Sequence, residues 1–151
     1  MKRRTFLKKT GAGAVCACLG CAGFAEAIEE PQKYEKDYRI EGNVLIINVK
    51  DYRKLNDVGD SDTIKVDKTK VIVIHPAENL YKAFRNKCTH KGGRVVYKRW
   101  DDYMQCTRHS SRFDISGKVI RGPAQLPLTE YKTTLDNDQL SIFLETQKEE
   151  K

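Results

Sequence analysis

Two short stretches constrain this chain more than anything else in it: Cys88-Thr89-His90 and Cys106-Thr107-Arg108-His109. Four of the chain's eight Cys and His residues fall within these 22 positions, and fifteen residues separate His90 from Cys106. Thiolate and neutral imidazole are both metal ligands, and four ligands make the usual closed set. Each pair lies next to residues that permit a tight loop, Gly92-Gly93 after the first and Ser110-Ser111 after the second. Each also follows a stretch that reads as a strand. The spacing therefore predicts two adjacent strands that present both loops at one end of a sheet, with Arg94 to Gln105 as a hairpin between them.

The rest of the chain reads as β structure. Val44 to Val49 is strongly apolar, Thr63 to Val66 alternates, and Val71 to Ile74 is a continuous β-branched run of the kind buried on both faces. Tyr81 to Phe84, Arg94 to Lys98, Tyr103 to Gln105, Lys118 to Arg121 and Leu140 to Leu144 complete the set. Glu41-Gly42-Asn43, Gly59-Asp60-Ser61, Ser116-Gly117 and Asp136-Asn137-Asp138 supply turns between them. No segment carries a helical period, so the pattern predicts an antiparallel β sandwich or barrel. His75 ends the Val71–Ile74 run and reads as a structural or surface histidine.

The length, 151 residues, suits one domain with a short appendage. The formal net charge is +7, but residues 1–27 hold Lys2, Arg3, Arg4, Lys8 and Lys9 against Glu26 alone, which leaves +3 for the remainder. The other Lys and Arg alternate along the chain with acids and read as a solvated surface. Nothing in this balance points to a nucleic acid as partner.

The basic start, the uncharged run from Thr10 to Ala25 and the small-residue site Ala25-Glu26-Ala27 form a targeting segment, residues 1–27. Arg3-Arg4 followed by Phe6-Leu7-Lys8 resembles the twin-arginine export signal. That resemblance implies export to the periplasm, with cleavage after Ala27 or retention of the segment as a membrane anchor. Cys16, Cys18 and Cys21 read as small apolar residues of this segment, and a lipidated cysteine is the second reading. Residues 28–37, with Pro31, read as a linker or a loosely held first strand, 38–147 as the domain and 148–151 as a tail.

Zinc is one candidate for the two pairs. A single residue between Cys88 and His90 is tight for both side chains to reach one tetrahedral ion. If each loop gives its Cys to one iron and its His to a second, that constraint disappears. Cys-x-His followed by Cys-x-x-His, together with "SSRFDISGKVIRGPAQLPL", resembles the Rieske family, whose [2Fe–2S] cluster has two histidines in place of two cysteines on one iron. The resemblance implies a three-sheet antiparallel β sandwich with a small cluster-binding subdomain, about residues 85–128. It implies that Cys88 and Cys106 bind the inner iron and that His90 and His109 bind the outer, solvent-facing iron. It also implies that the Gly122-Pro123-Ala124 loop covers the cluster and that Ser111 donates a hydroxyl to a cluster sulfur.

Some departures from the family pattern follow from the same alignment of motifs. Phe113 stands where high-potential members carry a tyrosine donor, and Gly93 and Arg108 stand where they carry a disulfide. The resemblance therefore implies a mid-range potential, roughly −50 to +200 mV. The implied function is one-electron transfer by an exported subunit or carrier of a respiratory-type oxidoreductase. Its partner would be a cytochrome or an oxidoreductase large subunit, with quinol as electron source and membrane association through the N-terminal segment or a lipid. A ferredoxin-like carrier serving an oxygenase, and a zinc-stabilised β domain with a binding role only, are the alternatives.

Overall fold

The computed structural model describes residues 38–145. The targeting segment with its three cysteines, the 28–37 stretch and the 148–151 tail lie outside the described residues. The described chain is eleven strands and one short 3₁₀ turn: β1 (Tyr38–Glu41), β2 (Val44–Asn48), the turn Arg53–Leu55, β3 (Ser61–Val66), β4 (Thr69–Ala77), β5 (Leu80–Arg85), β6 (Val95–Lys98), β7 (Tyr103–Cys106), β8 (Arg112–Asp114), β9 (Val119–Arg121), β10 (Glu130–Asp136) and β11 (Gln139–Phe143). Every pairing is antiparallel.

The strands form a seven-stranded sheet, β1-β2-β11-β10-β5-β4-β3, and a four-stranded sheet, β6-β7-β8-β9. The expected three sheets are present with two of them fused. Glu130 and Tyr131 of β10 pair with Phe84 and Ala83 of β5, and Lys132 to Asp136 pair with β11. One strand thus crosses from one half of the sandwich to the other, as strands do at a sandwich corner.

Two cores result, and β4 divides them. Val71 and Val73 point into the sandwich core with Leu45, Ile47, Leu140 and Ile142. Ile72 and Ile74, on the other face, pack with Phe84, Met104, Phe113 and Leu128. This is why Val71 to Ile74 is unbroken by polar residues: alternate side chains face alternate cores. Each fully buried aliphatic side chain contributes roughly 1.5–3 kcal/mol. The second core is what seats the four-stranded sheet on the first.

The hairpin turns are short and polar for a physical reason. Asp67, Asn79, Asp102 and Asn137 all have positive φ, a region that Asn and Asp tolerate better than other side chains. His75 is buried and stacks on Tyr81, with ring centroids 4.2 Å apart. Its backbone is held on both sides: His75 N–H donates to the Asp60 carbonyl at 2.9 Å and its carbonyl accepts Gly59 N–H at 2.7 Å. Of the two roles expected for His75, the structural one holds and the surface one does not.

Candidate metal centre

The two Cys-His loops have the same backbone form. Cys88 N–H donates to the Gly93 carbonyl and Gly92 N–H donates to the Cys88 carbonyl, both at 2.8 Å. Cys106 N–H donates to the Ser111 carbonyl at 2.8 Å, and Ser110 N–H donates to the Cys106 carbonyl at 3.2 Å. The fifth residue of each loop is left-handed, Gly92 at φ +66° and Ser110 at φ +57°. Tight closure of this kind is what Gly92-Gly93 and Ser110-Ser111 are placed to allow.

The loops meet at the open end of the β6–β7 hairpin, where Val95 pairs with Cys106 and Thr107 N–H donates to the Arg94 carbonyl at 2.9 Å. The expectation of two adjacent strands ahead of the loops is corrected here. The first loop leaves β5 in the seven-stranded sheet, whereas the second leaves β7 in the four-stranded sheet. Asn86 makes the join between them. Its Oδ1 accepts Val95 N–H at 2.6 Å, its Nδ2 donates to Thr63 Oγ1 at 2.9 Å, and its own N–H donates to the Lys70 carbonyl at 2.7 Å. A buried Asn with three partners in three other elements supports the site, and sequence reasoning missed it. An isolated Asn after a strand reads as a turn residue, and no local signal reveals partners so far along the chain.

All four expected ligands come together, and they do so as two pairs. Cys88 and Cys106 are both 2% exposed, both are free thiols, and their sulfurs lie within hydrogen-bond reach of each other. The His90 and His109 rings lie 4.9 Å apart and nearly perpendicular. His109 is exposed, and His90 is half-buried with Nδ1 shielded from solvent and without a hydrogen-bond partner. Among the described residues no three Cys, His, Asp or Glu side chains gather about one point. Two sulfurs inside and two imidazoles outside suit two metal ions rather than one.

The sulfurs are ringed by donors. Burial pushes the Cys88 thiol up, against backbone donation from His90 and a hydrogen bond from the Ser111 hydroxyl. Burial acts on Cys106 in the same sense, but N–H groups of Arg108 and His109, the Cys88 thiol and the Arg108 charge outweigh it, and Cys106 sits below the usual thiol range. Ser111 is fully buried, and its Oγ accepts the Ala124 N–H at 3.0 Å, which keeps the hydroxyl proton for sulfur. That bond also closes the Gly122-Pro123-Ala124 loop onto the site. Thr89 Oγ1 donates to the Leu126 carbonyl at 2.6 Å and ties the first loop to the same segment. Phe113 is fully buried in the second core and offers no donor.

Gly93 makes room for the side chains of Cys106 and Arg108. A Cβ there would stand 2.8 Å from Cys106 Sγ and 3.0 Å from Arg108 Cγ. The Arg108 stem lies over this glycine, and its Nη1 donates to the Lys91 carbonyl at 3.3 Å, across to the first loop. Donors converging on paired thiolates, with imidazoles on the open side, define an iron–sulfur electron-transfer domain with mixed Cys and His ligation.

Residues 43–132 match the family profile described as Rieske [2Fe-2S] domain, and the chain belongs to that family. It carries one electron at a time on a [2Fe–2S] cluster, which sets aside the zinc reading. Over 143 residues the chain is 31% identical to the cytochrome b6-f complex iron-sulfur subunit of Chlorobaculum thiosulfatiphilum, covering 93% of this chain and 75% of that protein. It is 34% identical over 100 residues to the subunit of the same name from Synechococcus elongatus, covering 64% of this chain and 56% of that one. The crystal structure of the cyanobacterial plasma membrane Rieske protein PetC3 from Synechocystis PCC 6803 superposes with a TM-score of 0.50 at 26% identity, covering 54% of this chain and 84% of that chain. The ferredoxin of carbazole 1,9a-dioxygenase from Nocardioides aromaticivorans IC177 shares the fold, with a TM-score of 0.53 at 23% identity and coverage of 64% and 95%.

Proposed function

We propose that Cys88 and Cys106 hold the inner iron and His90 and His109 the outer iron, and that the imidazole edge passes electrons to a cytochrome of a quinol-oxidising complex. The observation that carries this reading is the split of the four ligands into a buried sulfur pair and an outward imidazole pair. When bound, the cluster supplies a one-electron acceptor that is easier to reduce for having two neutral imidazoles in place of two thiolates. Cys88 and Cys106 would hold it from the buried side, where Phe113, Ala124 and Leu128 keep water from the sulfurs. The N–H groups of His90, Arg108 and His109 and the Ser111 hydroxyl stabilise the charge gained on reduction. His90 Nδ1 is the inward nitrogen, so its Nε2 holds the outer proton and faces the partner. The names of the relatives support the assignment to a cytochrome complex.

A membrane-associated, exported location accords with the same relatives, and Arg3-Arg4 with Phe6-Leu7-Lys8 supports the twin-arginine route to it. Replacing both arginines by lysine then holds the protein in the cytoplasm, because a site that reads guanidinium does not accept ammonium. A carrier role towards an oxygenase is the second reading, favoured by Gly93 and Arg108 standing where a disulfide is expected in high-potential members. Metal and sulfide analysis tests the ligand assignment: two irons and two labile sulfides in the wild type, and loss of both in Cys106→Ser. Reconstitution with each partner class separates the two carrier roles.

A further inference from the structure

Charge is divided unevenly between the two parts of the fold. Residues 85–128 carry ten Lys and Arg against three Asp, a balance of +7, whereas the other described residues, 38–84 and 129–145, carry nine against eleven, a balance of −2. The basic excess is thus confined to one contiguous stretch of the chain, the one that carries both ligand loops. Among the described residues the ion pairs are Arg39–Glu41, Lys50–Asp138, Lys54–Asp62, Lys82–Glu130 and Arg99–Asp60. None of them neutralises a cation beside the imidazoles.

Four exposed cations belong to the segments that surround His109. Lys87 lies along Gly92, where an added Cβ would meet its Cε at 3.3 Å, and Lys91 follows His90 directly. Arg108 lies over Gly93 and precedes His109, and Arg121 leads into the Gly122-Pro123-Ala124 loop. Leu126, 66% exposed, adds an apolar side chain to the same rim through its bond to Thr89. Like charges gathered on neighbouring segments repel, a cost that complementary charge on a partner relieves.

We infer that this basic rim is the docking surface for an acidic face on the redox partner protein. The inference rests on the reading of His90 and His109 as the electron exit. A partner that takes electrons there must approach the rim, and opposite charge raises the encounter rate and fixes orientation without demanding tight binding. An anionic membrane on the same rim would instead cover the exit edge. The apolar Leu126 inside a charged border fits the small, transient contact of an electron-transfer pair.

The test uses the full, cluster-loaded chain, reduced and mixed by stopped flow with two inorganic oxidants of opposite charge: ferricyanide and tris(phenanthroline)cobalt(III). The ferricyanide rate should fall as sodium chloride is raised, and the cobalt rate should rise. Lys87→Glu/Lys91→Glu/Arg121→Glu should reverse both trends. Lys65→Glu/Lys68→Glu/Lys132→Glu, on β3, the β3–β4 turn and β10, should leave them as in the wild type. Equal salt responses to both oxidants in the wild type, which needs no variant to fold, would overturn the inference while leaving the ligand assignment standing. So would phosphatidylglycerol-vesicle binding that the rim variant abolishes without change in either rate. Absence of iron and sulfide from the same sample would overturn the ligand assignment first, and the inference with it.

Discussion

The Ser111 hydroxyl oxygen accepts the Ala124 N–H at 3.0 Å, and this one bond both closes the covering loop and aims the hydroxyl proton at Cys88. Ser111→Ala should therefore do two things. Leaving the buried Ala124 N–H unpaired should cost about 1–3 kcal/mol of stability. Removing a donor whose bond strengthens by about 1 kcal/mol on reduction should lower the potential by roughly 40 mV. Protein-film voltammetry and urea unfolding read the two effects separately. An unmoved potential with lost stability would make Ser111 a loop clasp alone. Phe113→Tyr should raise the potential by tens of millivolts if its new hydroxyl reaches a cysteine sulfur.

Gly117 sits at φ +80°, and a Cβ there would stand 2.8 Å from Phe84 Cε1. Phe84 is fully buried between the two sheets and has little room to move. Gly117→Ala should destabilise the domain by about 2–4 kcal/mol, combining overpacking with backbone strain. Thermal unfolding of the loaded protein checks it. A change below about 1 kcal/mol would mean that the second core yields more readily than its packing indicates.

These features differ in how far the sequence disclosed them. The uninterrupted Val71-Ile72-Val73-Ile74 run announced a strand buried on both faces, because alternation is lost only when both faces are apolar. The loop residues Gly92-Gly93 and Ser110-Ser111 likewise marked two tight turns. β10 escaped notice, since Glu130–Asp136 has one fully buried residue, Tyr131, and its place comes from pairing with β5 and β11 rather than from its own pattern. β8, three residues long, is too short to show a period. The basic excess of residues 85–128 lies in the sequence itself, masked because the whole-chain balance sums it with the acidic flanks and with the basic residues 1–27.

Asp114 gathers three local donors: Ser116 N–H at 2.8 Å, Ser116 Oγ at 2.7 Å and Lys118 N–H at 3.0 Å. Burial pushes its carboxyl up, but these bonds and the Lys118 charge hold it below the ordinary value. A carboxylate depressed in the folded state adds stability that is fully present above its unfolded pKa, near 3.9, and is lost as pH falls through the lower folded value. Asp114→Asn should cost about 1 kcal/mol at neutral pH, discounted for partial exposure. The cost should shrink as pH falls below the unfolded value towards the lower folded one. Parallel urea titrations at pH 7 and pH 3 would show it, and a cost that does not change with pH would contradict it.

Arg108 spans the two loops by lying over Gly93 and reaching the Lys91 carbonyl at 3.3 Å. Arg108→Ala should speed cluster loss to a chelator several-fold and lower the potential, because the site loses both a bridge and a positive charge beside Cys106. Arg108→Lys should restore the potential more than the retention, since lysine keeps the charge without the planar fork. Equal chelator half-lives for all three proteins would show that the loops hold without this bridge.

Ligation of the cluster by two imidazoles is the central claim, and pulsed electron paramagnetic resonance of the reduced protein tests it most directly. With ¹⁵N placed only in histidine, two strongly coupled nitrogens should appear, and one should vanish in His109→Cys. A reduced cluster without coupled histidine nitrogen would contradict the assignment of His90 and His109.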